Sequence, residues 1–309
     1  MGDLFLGIDL GGTNVKIGVC DDAGGIKGRV SIPSQADRGP QDTVNRMADA
    51  AEMIMENTGR ARACGSGLPG PLDLERRTLS RANNLPGWIK VPYPDLLGKR
   101  LGIPTFMEND ANCAAWGEYI AGVGRGTQSL VLYTLGTGIG GGLVINGDLW
   151  VGASGGAGEL GHMTMDPDGP PCACGQNGCL EQYASATAVA TRWGKGGARE
   201  CFDAARAGDA GAMAVVDWAA DALALGIANM TRVLHPEMIV LAGGMAQAGT
   251  LLLEKVREGV RKRCFPAFFE RIRIEISQVS GDDAGWLGAA LWAARKVDAH
   301  AIREPTGLR

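Results

Sequence analysis

Twice in this chain a β-type run enters a glycine-rich turn and leaves it as another β-type run. The first is Leu4-Phe5-Leu6-Gly7-Ile8-Asp9-Leu10, then Gly11-Gly12-Thr13-Asn14, then Val15-Lys16-Ile17-Gly18-Val19. Its alternation and β-branched content predict a hairpin, with a third strand from about Lys27 to Pro33 after the Asp22-Ala23-Gly24-Gly25 turn. The second runs from Ser129 to Leu135, through Gly136-Thr137-Gly138-Ile139-Gly140-Gly141-Gly142, into Leu143-Val144-Ile145. That is more glycine than a simple hairpin needs. Two such hairpins, each followed by further α/β sequence, predict a duplicated α/β domain with the turns facing each other across a cleft. At the first turn the bare N–H groups and the Thr13 hydroxyl suit phosphate oxygens, and Asp9 at the strand end suits Mg²⁺ or its waters. This turn is neither a P-loop nor a dinucleotide fingerprint, because no helix follows directly. Alone it reads equally as a plain hairpin; the pair points to a polyphosphate that needs donors on both sides.

The chemistry concentrates between Glu159 and Glu181. Here Glu159-Leu160-Gly161-His162 is followed by Cys172-Ala173-Cys174-Gly175 and then Gly178-Cys179-Leu180-Glu181, with three of the eight cysteines and one of the three histidines. Thiolate and imidazole are the donors of tetrahedral Zn²⁺, and a Cys3His set without a carboxylate is a closed structural site. Gly175 and Gly178 give the backbone freedom for Cys179 to return to the ion that Cys172 and Cys174 hold. Scattered free thiols would not cluster in this way. If one nitrogen of His162 binds metal, the other carries a proton and donates. The same ion pins Glu159 and Glu181, so two acceptors and a donor converge, as a ligand with several adjacent hydroxyls requires. Taken singly, each glutamate reads as a surface acid.

With 309 residues, the chain exceeds the ~250–300 at which one core stops growing, so two domains are expected. Apolar residues make up 45% and the net charge is −4. No Lys/Arg block suggests a nucleic-acid surface, and no uninterrupted apolar run approaches a membrane span of ~20 residues. The start lacks a basic segment and cleavage site, and Leu6 stands where a myristoylation signal needs Ser or Thr. A metal-type cysteine cluster in such a chain suits a reducing, cytoplasmic setting. Cys20, Cys64, Cys113, Cys201 and Cys264 read as buried thiols.

Gln41 to Thr58 reads as a helix with Val44, Met47, Ala48, Ala51, Ile54 and Met55 on one face. Arg62 to Leu68 reads as a strand ended by Pro69-Gly70-Pro71. The asparagines of Asn83-Asn84-Leu85-Pro86-Gly87-Trp88 read as turn formers or sugar contacts. Pro104 to Glu108 reads as a strand leading through Asn109-Asp110 into a helix over Ala111 to Ala121. Asp110 is expected both to cap that helix and to serve as a general base for a hydroxyl, at the strand-to-helix junction where α/β folds place such groups. Helices are expected over 185–193, 198–207 and 209–234, with His235 ending the last of these. A strand over 237–242 runs into Gly243-Gly244, where an adenine or ribose can lie against bare backbone, or the glycines form a tight turn. A helix from about 249 to 263, a strand over 271–278 and a final helix over 282–297 complete the chain. The boundary is expected at a hinge near Asp110, with 1–110 plus about 292–309 forming a small domain and 111–291 a large one.

These residues resemble the ROK family (repressors, open reading frames, sugar kinases), and most of all its glucokinases. The resemblance runs from Asp9-x-Gly-Gly-Thr13 to the final helix, and its most specific part is Glu159-x-x-His162 with Cys172-x-Cys174-Gly-x-x-Gly-Cys179-x-Glu181. It implies two actin/hexokinase-like (ribonuclease H-like) α/β domains flanking a cleft that closes over a hexose. It implies structural Zn²⁺ on His162, Cys172, Cys174 and Cys179, and ATP with Mg²⁺ at Asp9, Gly11, Gly12, Thr13, Asn14, Lys16, Gly136, Thr137, Gly138, Gly243 and Gly244. Asp110 corresponds to the aspartate that deprotonates the sugar 6-hydroxyl. Gly70, Asn84 (or Asn83), Asn109, Glu159, His162 and Glu181 correspond to its other sugar contacts. Such kinases are usually homodimers. Glucose is the expected hexose, because Asn84 to Trp88 resembles the glucokinase loop; N-acetylmannosamine, N-acetylglucosamine, fructose and a polyphosphate donor are alternatives. A family regulator would need a helix-turn-helix ahead of the first strand, where three residues stand, and a binding module without chemistry would leave Asp110 a mere cap.

Overall fold

A computed structural model describes residues 2–70, 72–73, 75–82, 85–279, 281 and 283–303. The chain divides into two units: residues 1–125, 151–157 and 282–309 form the first, and 126–150 with 158–281 the second. The first begins with β1 (Leu4–Leu10), β2 (Asn14–Asp21), β3 (Ile26–Pro33), α1 (Pro40–Thr58) and β4 (Ala63–Leu68). It continues through β5 (Leu79–Arg81), β6 (Ile89–Val91), α2 (Tyr93–Leu101), β7 (Thr105–Asn109) and α3 (Asp110–Ala121). The second holds β8 (Leu130–Leu135), β9 (Ile139–Ile145), β10 (Asp148–Leu149), α4 (Glu181–Ala184), α5 (Ala186–Trp193), α6 (Ala198–Arg206) and α7 (Ala210–Leu234). It ends with β11 (Met238–Ala242), α8 (Thr250–Arg263), α9 (Pro266–Phe269) and β12 (Arg273–Ile276). The final helix, α10 (Ala284–Arg303), returns to the first unit.

Both units are built to one plan. The first sheet has the order β3-β2-β1-β4-β7 and the second β10-β9-β8-β11-β12. In each, two antiparallel pairings lead to the first strand and parallel pairings follow it. The two glycine turns join equivalent strands, β1 to β2 and β8 to β9. The expected duplication is therefore present in the topology, and only a crossover carrying a helix returns a chain to a parallel neighbour.

The apolar face of α1 (Val44, Met47, Ala48, Ala51, Ile54 and Met55) is buried against Leu6, Ile8, Ile17 and other sheet residues. On the opposite face α10 lies almost on the strand backbone. A Cβ on Gly7 would fall 1.8 Å from the Trp286 carbonyl oxygen, and one on Gly65 would fall 1.8 Å from that of Ala289. Glycine inside a strand weakens it, and here the return is close helix approach. The contact of α10 with α3 is equally tight, since a Cβ on Gly288 would stand 1.7 Å from the Cys113 oxygen.

In the second unit, α7 is long and apolar enough to cross a bilayer by length and composition. Val216, Ala220, Leu223, Ala224 and Ile227 are nevertheless buried within the unit. Asp209 caps α7 through its side chain, and His235 ends it at φ 45°, a helix terminus as expected. Of the second glycine run, only 136–138 is turn. Gly140, Gly141 and Gly142 lie inside β9, a correction to the longer turn expected. A Cβ on Gly141 would sit 2.4 Å from both Gly158 oxygen and Leu160 Cγ, so that glycine admits a neighbouring segment and has no direct phosphate role to explain it.

The backbone contact at Gly288 gives a test. Gly288→Ala is expected to cost at least about 1–3 kcal/mol, the usual range for overpacking, read as a lower urea midpoint.

Candidate functional site: strand ends, glycine turns and a Cys/His cluster

In the first unit, Asp9, Gly67 and Glu108 are register neighbours across β1, β4 and β7. The carboxyl ends of these parallel strands are where α/β sheets present ligand-binding groups. Asp110 is the first residue of α3, and Asn109 is its N-cap, accepting from Ala111 N–H at 3.0 Å and Asn112 N–H at 3.3 Å. The expectation that Asp110 caps the helix is therefore corrected. The two adjacent residues are both good cappers, and the extended backbone of Asn109 gives it the role. Asp110 Oδ1 accepts from the neighbouring Ala111 N–H at 2.8 Å.

Asp9 packs against α10, where a Cβ on Gly285 would be 2.6 Å from its carboxyl carbon. Burial pushes the Asp9 carboxyl above its ordinary range, and Lys16 across the hairpin opposes that rise. Gly11, Gly12, Thr13 and Asn14 follow. Gly11 N–H donates to Asn14 O at 3.0 Å, and Ser34 at the end of β3 holds the turn by donating to Gly12 O at 2.6 Å and Thr13 O at 2.8 Å. Gly70 has φ 93°, a left-handed position suited to glycine. Asn83, Asn84 and Pro71 lie outside the described residues.

Glu108, Arg76 and Asn112 are site neighbours that pattern reading missed. Glu108 is 1% exposed. One oxygen accepts from Asn109 N–H and Asn112 Nδ2, both at 3.0 Å, and the other from Arg76 Nε at 3.0 Å. Arg76 also donates to the carbonyls of Asp73 and Gly155. Removing one partner of such a buried pair costs about 3–5 kcal/mol. The one available signal was an acid directly after the apolar pair Phe106-Met107 in a strand.

In the second unit, His162, Cys172, Cys174 and Cys179 bring their ligand atoms within 4.8 Å of one another. Cys172 Sγ lies 3.6 Å from His162 Nδ1, and Cys174 Sγ lies 3.6 Å from Cys179 Sγ. A tetrahedron with Zn–S of ~2.3 Å and Zn–N of ~2.0–2.1 Å has edges of about 3.6–3.8 Å. The four donors therefore fit zinc in chemistry, and the two 3.6 Å separations match edges of that tetrahedron. The knot is formed by backbone: Cys172 N–H donates to Gln176 O at 2.8 Å and Gly178 N–H to Pro170 O at 2.7 Å. Gly178, at φ 65°, would place a Cβ 1.6 Å from Asp166 O. Without a cation, burial and then the neighbouring thiols push the Cys179 thiol up to about 12, whereas a backbone hydrogen bond at Gln176 holds that of exposed Cys174 down. A bound cation resolves that conflict by deprotonating its thiols. With Nδ1 turned to the sulfurs, Nε2 of His162 is left to donate elsewhere.

Glu159 is exposed, one residue before the 3-10 turn Leu160–His162. Glu181 opens α4 and its Oε2 accepts from Ile139 N–H at 2.8 Å. Gly136, Thr137 and Gly244 line one cavity of about 560 Å³ with Glu200, Asp203 and Arg206 of α6, within the usual range for small-molecule sites. The α6 residues carried no sequence signal beyond a charged helix face. Gly243 serves packing, since its Cβ would meet Leu135 O at 2.6 Å. Gly138 similarly makes room for Glu181, whose Oε2 lies 2.3 Å from where its Cβ would be.

A sequence profile of the ROK family matches residues 5–296. The chain belongs to the ROK family. It is 38% identical over 305 residues to a glucokinase of Thermotoga maritima, covering 93% of this chain and 96% of that one. The ROK hexokinase structure from Thermus thermophilus superposes with a TM-score of 0.84 at 35% identity, covering 96% and 99% of the two chains. A ROK glucokinase from Streptomyces griseus, solved with glucose and AMPPNP, gives 0.80 at 32% identity, with 94% and 99% covered. The expected membership and the actin/hexokinase-like α/β class are borne out.

Two outcomes follow from the site's chemistry. Elemental analysis is expected to find one zinc per purified chain and none in Cys179→Ser; a metal-free wild type would refute the fit. Burial raises the Asp9 pKa above its unfolded value of 3.8, so keeping the carboxylate ionised at neutral pH costs stability that is regained as pH falls through the folded pKa. Asp9→Asn is therefore expected to raise the melting temperature at neutral pH, with the gain shrinking as pH falls toward that value.

Proposed function

We propose that this ROK protein is a glucokinase, transferring the γ-phosphoryl group of ATP to the 6-hydroxyl of glucose. The observation that carries the reading is Asp110, held at the head of α3 while Asn109 does the capping. An acid in a first helical turn also suits the helix dipole, but with the capping done by Asn109 this carboxylate, at the carboxyl end of the parallel strands, suits proton acceptance from a hydroxyl attacking phosphorus. Support comes also from glucokinase relatives covering nearly the whole chain and from the complex of a relative with glucose and AMPPNP.

In this reading Asp110 takes the 6-hydroxyl proton as the O–P bond forms. Gly70, Asn84 and Asn109, and on the second unit Glu159, His162 Nε2 and Glu181, hold the remaining hydroxyls. The turns at 11–14 and 136–138 meet the phosphates, with Asn14 and Lys16 beside the first. The cavity lined by Gly244 and α6 takes the nucleoside, which favours ATP over a linear polyphosphate with no base to place. Mg²⁺ fits Asp9, because this ion usually needs only one or two carboxylates besides nucleotide phosphates and water; it supplies charge neutralisation on the phosphates. Zinc fits His162, Cys172, Cys174 and Cys179, and its role there is structural.

A coupled assay with glucose, N-acetylmannosamine, N-acetylglucosamine and fructose, each offered ATP and polyphosphate, tests the proposal. Glucose with ATP is expected to give the highest kcat/KM, and turnover of none of these pairs would refute a kinase. Asp110→Asn is expected to lower kcat by about 10²–10⁴-fold, the usual worth of a general base, while glucose still binds by calorimetry. Undiminished turnover would remove Asp110 from the mechanism.

A further inference from the structure

The second glycine turn is gripped from two directions by the limbs that carry the Cys/His cluster. One limb leads from Cys179 to Glu181 and on into α5. Glu181 Oε2 accepts from Ile139 N–H, Ala186 N–H donates to Gly136 O, and the Thr187 hydroxyl donates to Thr137 O, each at 2.8 Å. The other limb leads into His162. A Cβ on Gly161 would lie 2.1 Å from Ile139 O, and one on Gly141 would lie 2.4 Å from Gly158 O and Leu160 Cγ. Ile139 is thus held by its N–H from one limb and pressed at its carbonyl by the other. The first glycine turn differs, being held by Ser34, the residue that follows β3 of its own unit.

We propose that the Cys/His cluster, by drawing these two limbs together on Ile139–Gly141, holds the second glycine turn in its nucleotide-binding shape, with Thr187 as the positioning residue at the end of the linkage. Thr137 is exposed, where water can satisfy the backbone in many conformations, so protein partners for the turn's carbonyls and N–H groups select one of them. Three of those partners come from residues 181–187, whose start is set by Cys179 two positions earlier. The cluster then serves the phosphoryl donor as well as the hexose. The inference rests on the proposed kinase reading, because it needs the turn to meet nucleotide phosphates.

The test is calorimetric titration of the holoprotein with AMPPNP and, separately, with glucose. Thr187→Val deletes the hydroxyl and is expected to weaken AMPPNP about threefold to tenfold, the usual worth of one hydrogen bond, with glucose affinity unchanged. Thr187→Ser keeps the donor and is expected to restore AMPPNP binding to within about twofold. Removing the metal by chelation, with circular dichroism confirming a folded protein, is expected to weaken AMPPNP by at least as much. Wild-type AMPPNP affinity in Thr187→Val overturns the proposal, as does a folded, metal-stripped protein that loses glucose but keeps AMPPNP. If chelation unfolds the chain, the Val and Ser variants decide alone. A holoprotein that binds no AMPPNP and phosphorylates no hexose refutes the kinase reading, an outcome distinct from lost coupling in a protein that still binds both.

Discussion

The approach of α10 to the first sheet leaves no room for a methyl group. Its backbone occupies the space that side chains at positions 7 and 65 would take, and its Gly288 lets it settle on α3 at Cys113. Close packing of this kind transmits position as well as stability, since neither partner can shift by a fraction of an ångström alone. The helix thereby fixes the two acids of the unit relative to each other. Gly285 is pressed on Asp9 at the end of β1, and α3, whose first residue is Asp110, is fixed from behind.

In the second unit the corresponding work on the turn is done by the segment around the Cys/His cluster. A knot of backbone hydrogen bonds gathers four donors, and the limbs leaving it bear on the first residues of β9. The two turns thus have equivalent topological positions and different supports. Duplication provided two similar sheets, while the segment inserted after β10 gave the second turn a brace that the first does without.

Features whose physics is local were legible in the sequence. The strands around both turns follow from period-two alternation, α1 from its 3.6-residue stripe, and the gathering of His162, Cys172, Cys174 and Cys179 from the donor chemistry that clustered thiols and imidazole share. What escaped depended on distant partners. Glycine reads alike in a turn and in a strand crowded by another segment, so pattern alone extends the turn over Gly140 to Gly142, which lie in β9. Asn109 and Asp110 compete for one cap, and only the backbone angle of Asn109 decides between them. The Glu108–Arg76 pair joins residues 32 positions apart, and the α6 wall of the cavity looks like any charged helix face.

The chain passes between its units four times, at 125/126, 150/151, 157/158 and 281/282. The sheet formed by β1, β4 and β7 is translated before the second unit, yet the helix that covers its glycine-lined face is translated after it. At roughly 5–20 residues per second, that face waits on the order of ten seconds for its cover, while the whole second unit is made. The first unit is thus a late-completing one although its strands precede those of the second.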